Sequence, residues 1–171
     1  WTNSPSIVQV IQPGMPRTGD TVQTTYTSNS EVSTGTATIP QDDTIPQSGE
    51  GTEFISLAIT PRSAVNVLHI MHEGCYSQNT ASRNLIWALF QDSTANALVA
   101  SANYLETANG FSPPLLLHHQ MISGTTSATT FKIRAGCNAS GGGTVTFNGS
   151  GGSRAFGGVA NSMMRIQELF Q

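Results

Sequence analysis

Four histidines, two cysteines and ten carboxylates are the whole stock from which this chain can build a catalytic or metal centre. His118 and His119 are neighbours, and adjacent residues of a strand point to opposite faces, so the two do not chelate one ion together. His69 and His72 also fall on opposite parities of one strand-like run. A zinc site would need His69 together with His119, and satisfied core or interfacial histidines are the simpler expectation. Asp42, Asp43, Glu50 and Glu53 form the one acidic cluster. They lack the spaced D-x-D-x-D-G loop, so a solvated turn is expected there rather than a calcium site. No metal and no cofactor are expected. For catalysis there is no G-x-S-x-G elbow and no H-E-x-x-H helix; Asp92 and Glu106 make a nominal glycosidase pair that nothing in their spacing supports. The chain reads as a non-enzyme.

Sugar binding asks for other parts: aromatic faces for pyranose rings, with amide, hydroxyl and guanidinium groups beside them on well-anchored loops. Two segments offer these. Tyr76 to Arg83 carries an aromatic, two amides and an arginine, and Ser101 to Asn109 carries Tyr104 between asparagines. The candidate glycan-binding residues are therefore Tyr76, Asn79, Arg83, Tyr104 and Asn109. The competing expectation is that Tyr76 and Tyr104 only cap a sandwich.

Cys75 and Cys137 each follow a strand-then-glycine ending, so they either meet at one end of a sandwich as a disulfide or remain two separate thiols. A bond would close a loop of about 60 residues and contribute roughly 4 kcal/mol in the chain-entropy view. Neither cysteine has the C-x-x-C partner of a metal site. The tripeptides Asn138-Ala139-Ser140 and Asn148-Gly149-Ser150 match glycosylation acceptors, which a Ser/Thr-rich chain acquires by chance.

These residues must be positioned by a chain of 171 residues, 18.0 kDa, a length suited to one domain that needs no staples. Charged residues are 10% of the chain, with 17 glycines, 19 serines and 21 threonines, which excludes a helical bundle or coiled coil. Lys132 is the only lysine, and a net charge of −3 with scattered arginines argues against a nucleic-acid partner. No stretch approaches the roughly 18 consecutive apolar residues of a membrane span, and no signal peptide opens the chain. The start at Trp1 is expected of a processed chain or of a piece of a longer one.

Short strands are predicted at Ser6–Ile11, Phe54–Thr60, Ala64–Met71, Asn84–Phe90, Leu115–Ile122, Thr129–Arg134, Thr144–Gly149 and Ser162–Leu169, with a weaker one at Leu98–Ala100. Phe54–Thr60 and Ala64–Met71 have hairpin spacing. Asn84–Phe90 is apolar on both parities, as a strand covered on both faces would be. Thr21–Tyr26 and Thr34–Ile39 suit edge strands or an extended arm better than a core, and Pro40–Pro46 cannot be a central strand. In the Ser/Gly stretch from Ser140 to Ser153, Gly141-Gly142-Gly143 and Gly151-Gly152 bracket a strand and are expected to supply flexible hairpin connections rather than a phosphate cradle. The whole describes an antiparallel all-β sandwich or barrel over residues 1–171, with residues 1–50 more extended and turn-rich.

Thr38-Ile39-Pro40, Asp43-Thr44-Ile45-Pro46-Gln47, Glu50-Gly51-Thr52-Glu53-Phe54 and Ile59-Thr60-Pro61-Arg62-Ser63-Ala64 resemble the distal β-sandwich domain of bacteriophage tail fibres and tailspikes. Ala88-Leu89-Phe90-Gln91-Asp92, Gly124 to Gly136, Thr144-Val145-Thr146-Phe147-Asn148-Gly149 and Phe156-Gly157-Gly158 resemble the same family, so the likeness runs from about Val8 to Leu169. The resemblance implies a jelly-roll-like sandwich of tumour-necrosis-factor type that assembles as a homotrimer. It also implies an extracellular virion component at a fibre or spike tip that touches a host cell-surface polysaccharide, without nucleic acid or membrane insertion. The alternative it leaves open is a structural trimerisation and stability cap, or a capsid decoration domain, with no ligand of its own. A homotrimer would account for apolar and His side chains on both parities of 64–72 and 115–122.

Overall fold

The computed structural model describes residues 14–139 and 143–171, so the strand expected at Ser6–Ile11 and the residues 140–142 lie outside it. The described chain is all-β. It comprises β1 (Thr21–Asn29), β2 (Ser33–Gly35), β3 (Thr52–Ile59), β4 (Val67–Gly74), β5 (Tyr76–Gln78), β6 (Arg83–Gln91) and β7 (Val99–Leu105). Then come β8 (Leu115–Ile122), β9 (Thr129–Cys137), β10 (Val145–Phe147), β11 (Gly149–Ser150), β12 (Ser153–Arg154) and β13 (Ser162–Leu169). Among the described residues no helix is long and apolar enough to cross a membrane.

The eight long strands form two antiparallel four-stranded sheets, ordered β1-β13-β4-β8 and β3-β9-β6-β7. Among those eight, the first pairs with the last, the second with the seventh, the third with the sixth and the fourth with the fifth. That nesting is the wrapping of a jelly roll, in which successive strands cross from sheet to sheet. It overturns the local hairpin expected between β3 and β4, which lie in different sheets. The connection between them is too long for a tight turn, and its amides go to β13 instead of to a partner strand. Short β2, β10 and β5 make a third sheet beside the sandwich.

Side chains of alternate parity fill the space between the sheets: Leu68, Ile70, Met164 and Ile166 from the first, Leu85, Leu89, Phe131 and Ile133 from the second, each at 1% exposure or less. A bulge between Glu53 and Ile55 shifts the register of β3, so Phe54 and Ile55 are both buried although they are consecutive. The ring of Phe54 stacks on Phe147 at 5.5 Å and meets Tyr76 edge-on at 5.7 Å. On the opposite face of β6 a second cluster of Ile39, Ile86, Ala88 and Phe90 is covered by the chain before β3. The strand is thus covered on both faces, as its composition predicts.

The glycine-rich stretch contains a tight hairpin, β11 and β12 joined by Gly151 and Gly152 at φ +58° and +80°. Both positions of this turn need the left-handed region that glycine enters freely. Cys75 and Cys137 are free thiols, not a disulfide. Cys137 donates to Gln78 Oε1 at 2.8 Å, while Cys75 sits between β4 and β5 with its amide on Ser162 Oγ. Burial pushes both thiols up, and at Cys137 the Arg83 guanidinium opposes that rise.

Candidate functional site

The five predicted glycan-binding residues divide into three environments. Tyr76 is fully buried, so its expected place on an exposed loop is corrected: it opens β5, packs on Phe54 and Phe147, and offers no face to a sugar. Its hydroxyl donates to His72 Nε2 at 3.2 Å, because His72 Nδ1 lies 2.9 Å from the Met163 carbonyl and must carry the proton there. Burial and the neighbouring Cys75 hold the Tyr76 phenol far above its ordinary range.

Tyr104 lies on β7 rather than in a loop, since β7 extends the weakly predicted Leu98–Ala100 segment to Leu105. Leu105 turns into the core, so Tyr104 turns outward, and it is 58% exposed. Across the strands it faces Asn84. The Asn84 amide donates to Gln41 Oε1, which also accepts from Asn138 Nδ2 at 3.4 Å, and the Asn138 backbone amide donates to the Asn84 carbonyl at 3.1 Å. An exposed aromatic thus stands beside three amide side chains at one end of the second sheet. Asn138 Oδ1 has no hydrogen-bond partner among the described residues.

Asn79 and Asn109 belong together through the buried Gln78. The Asn109 amide donates to the Gln78 carbonyl at 2.8 Å, and the Gln78 side-chain amide donates to the Arg83 carbonyl at 2.9 Å. Asn109 is held at φ +60°, a conformation asparagine tolerates, and its carbonyl accepts from Ser150 Oγ at 2.5 Å. Asn79 Oδ1 accepts from the Thr144 amide at 2.6 Å and from Thr80 Oγ1 at 3.3 Å, and among the described residues its NH₂ donors have no partner. Arg83 opens β6 opposite Leu105, on the parity opposite to Tyr104, and is half-buried. These residues gather at one end of the sandwich, but Arg83 and Tyr104 do not share a face.

The remaining sequence candidates are also placed. Asp42 Oδ1 accepts from the Thr44 amide at 2.8 Å and from its hydroxyl, bonds that lower the Asp42 carboxyl, so this acidic stretch is a self-satisfied turn. It forms one wall of an open groove of about 410 Å³ against Ala97 to Ala100. Asp92 is committed to Thr129 Oγ1 and the Thr130 amide, at 2.8 and 2.7 Å. Asp92 and Glu106 flank opposite ends of the β6–β7 pair, about 30 Å apart along the strand, beyond the roughly 5–9.5 Å of a glycosidase pair. His69 and His119 point to opposite faces, because His119 pairs with Ile70 and Gln120 with His69; that conjectured zinc pair does not form. Among the described residues no trio of His, Cys, Asp or Glu is placed to hold a metal ion.

One aromatic cleft escaped the sequence reading. Phe111 and Phe156 stack at 5.2 Å and border a cleft of about 260 Å³ with Glu73, Cys75, Pro114 and Asn161. Phe156 is 67% exposed at φ +48°, an uncommon conformation for a bulky residue. The signal available was Phe156-Gly157-Gly158, an aromatic inside a turn sequence, which reads as a connection when hydropathy alone is followed.

No protein-family model matches the chain, and no curated protein matches it. Solved structures similar to it include one described as the EclA C-terminal domain, a sugar-binding protein, at 13% identity and TM-score 0.35, over 86% of this chain and 85% of that one. Another is the VP2 subviral particle of infectious bursal disease virus, at 13% identity and TM-score 0.38, over 98% of this chain and 42% of that one. The Gx strain of the same virus gives 18% identity and TM-score 0.38, over 97% and 40%. The chain therefore spans about two fifths of the viral chains it matches. At these TM-scores the likeness carries no functional argument.

Proposed function

We propose that the chain is the distal receptor-binding domain of a phage tail fibre or tailspike, a homotrimeric virion component that attaches to a host cell-surface polysaccharide and performs no catalysis itself. The observation that carries the binding role is Tyr104, exposed beside Asn84, Gln41 and Asn138, with Asn79, Arg83 and Asn109 at the same end of the sandwich. A flat aromatic next to amide donors and acceptors matches the apolar face and hydroxyl rim of a pyranose. Tyr76 is not part of this site.

The outer face of the first sheet supports the trimer. Tyr26, Leu116, Ile122 and Met163 are exposed there, at 71%, 55%, 51% and 36%. Two ionised groups, Arg165 and Glu73, accompany them on that face. A charge-poor face that exposes large apolar side chains among polar ones such as His118, Gln120 and Gln167 is one a closed oligomer can cover. The same face favours a second reading, a trimerisation and stability cap or capsid decoration domain without a ligand.

Host-cell adsorption of the parent fibre carrying Tyr104→Ala, with its fold checked by circular dichroism, separates the two. Receptor binding at this site requires adsorption to fall while the fold is kept. Unchanged adsorption removes the Tyr104 site and favours the cap.

A further inference from the structure

We propose that His69 and His118 form a binding site for a first-row divalent transition-metal ion on the outer face of the first sheet. β4 and β8 pair antiparallel with His69 opposite Gln120 and Met71 opposite His118, so these four side chains make one block on one face. The two imidazoles lie edge to face with ring centres 6.2 Å apart. Among the described residues neither ring has a hydrogen-bond partner, unlike His72, both of whose nitrogens are engaged. With a metal–nitrogen bond of about 2.0–2.1 Å, one ion between two rings holds their centres at roughly 5–6 Å. The observed 6.2 Å lies just beyond that range, so rotation of the exposed His118 ring about its side-chain torsions is what brings the two nitrogens onto one ion.

The donor chemistry selects the ion. Two imidazole nitrogens suit zinc, copper and nickel and give magnesium or calcium little, and copper binds such a set more tightly than zinc. The thioether of Met71, a soft donor in the same block, is held by Arg165 Nη2 at 3.1 Å, so the ion takes the two histidines and fills its other positions with water. His72 and His119 lie on the inward parity and serve as internal controls. The pair lies on the face that the proposed trimer covers, so the titration is read on protein whose oligomeric state is measured in the same solution, and failure of the site would leave the receptor-binding reading at Tyr104 untouched.

The test is isothermal titration of the untagged chain with ZnCl₂, CuSO₄ and MgCl₂, alongside imidazole NMR resonances. One Zn²⁺ per chain is expected, with Cu²⁺ tighter and Mg²⁺ silent. His69→Ala and His118→Ala should each weaken Zn²⁺ by about tenfold or more, His119→Ala should not, and Zn²⁺ should move the His69 and His118 resonances but not that of His72. Absence of binding, or binding that survives both histidine substitutions, overturns the site.

Discussion

The side-chain amide of Asn66 donates to Glu168 Oε1 across 2.6 Å, joining the turn after β3 to the last strand of the chain. Glu168 shares the inward parity of Met164 and Ile166, and it is a carboxylate at 0% exposure where an apolar side chain would be expected. It is satisfied by the amides of Arg62 and Ser63, by Asn66, and by Gln23 Nε2 at 2.6 Å. A turn that cannot pair as a hairpin is held instead by one buried acceptor. The crossover from one sheet to the other depends on this latch.

Glu168→Ala strands the buried Asn66 amide together with the partly buried donors of Arg62, Ser63 and Gln23, and should cost about 2–4 kcal/mol. Glu168→Gln, which keeps the shape and one acceptor oxygen, should cost less. Urea unfolding of both variants against the native chain measures the difference, and equal stability of all three would contradict the latch.

Stability should fall as the solution is acidified, in two overlapping steps. Burial lowers the His72 imidazole from 6.5 to about 4, against the opposing hydrogen bond to Met163. The folded state therefore favours the neutral ring, and the unfolded chain protonates first as pH falls. The full contribution, about 3 kcal/mol, is present above about pH 6.5 and is lost progressively down to about pH 4. At Glu168 burial pushes the carboxyl up, but the donors from Arg62, Asn66, Gln23 and Ser63 together hold it below the ordinary range. Its contribution is present above the ordinary carboxylate pKa and is lost as pH falls through the lowered one. Thermal unfolding between pH 7 and pH 4 should show a falling midpoint, and His72→Gln should flatten its upper part.

The two tyrosines should behave oppositely. Tyr76→Ala empties a fully buried aromatic site and should destabilise the fold by about 3–5 kcal/mol, whereas Tyr104→Ala should leave the unfolding midpoint within about 0.5 kcal/mol of the native chain. Denaturation curves of the pair check this directly. A stable Tyr76→Ala protein would contradict the core placement.

Much of the sandwich was legible because alternation survives in its long strands. Phe131 and Ile133 face the core while Lys132 and Arg134 face outward, as their parity requires, and β6 reads as doubly covered because Ile86, Ala88 and Phe90 meet the Ile39 cluster. The failures have equally local causes. Tyr76 is followed by Ser77 and Gln78, which look like loop residues yet are buried, their polarity met by the Gly149 and Arg83 carbonyls and the Cys137 thiol. β7 alternates small residues, Ala100 and Ala102, and so carries almost no hydropathy signal before Tyr104. β3 and β4 look like a hairpin because spacing reports neighbours in sequence, while a jelly roll pairs strands that are far apart in it.

Both cysteines should titrate as thiols. In the native protein Cys75, partly exposed, should react slowly with iodoacetamide and Cys137 should be protected, with two labels taken up on unfolding without reductant. No uptake in denaturant alone would mean a disulfide and contradict the separation of the two residues.

The account rests most heavily on the outer face of the first sheet being covered by further copies of the chain. Light scattering of a dilute solution tests this directly. A molar mass near three times 18.0 kDa is predicted, and a clean 18.0 kDa monomer would contradict it.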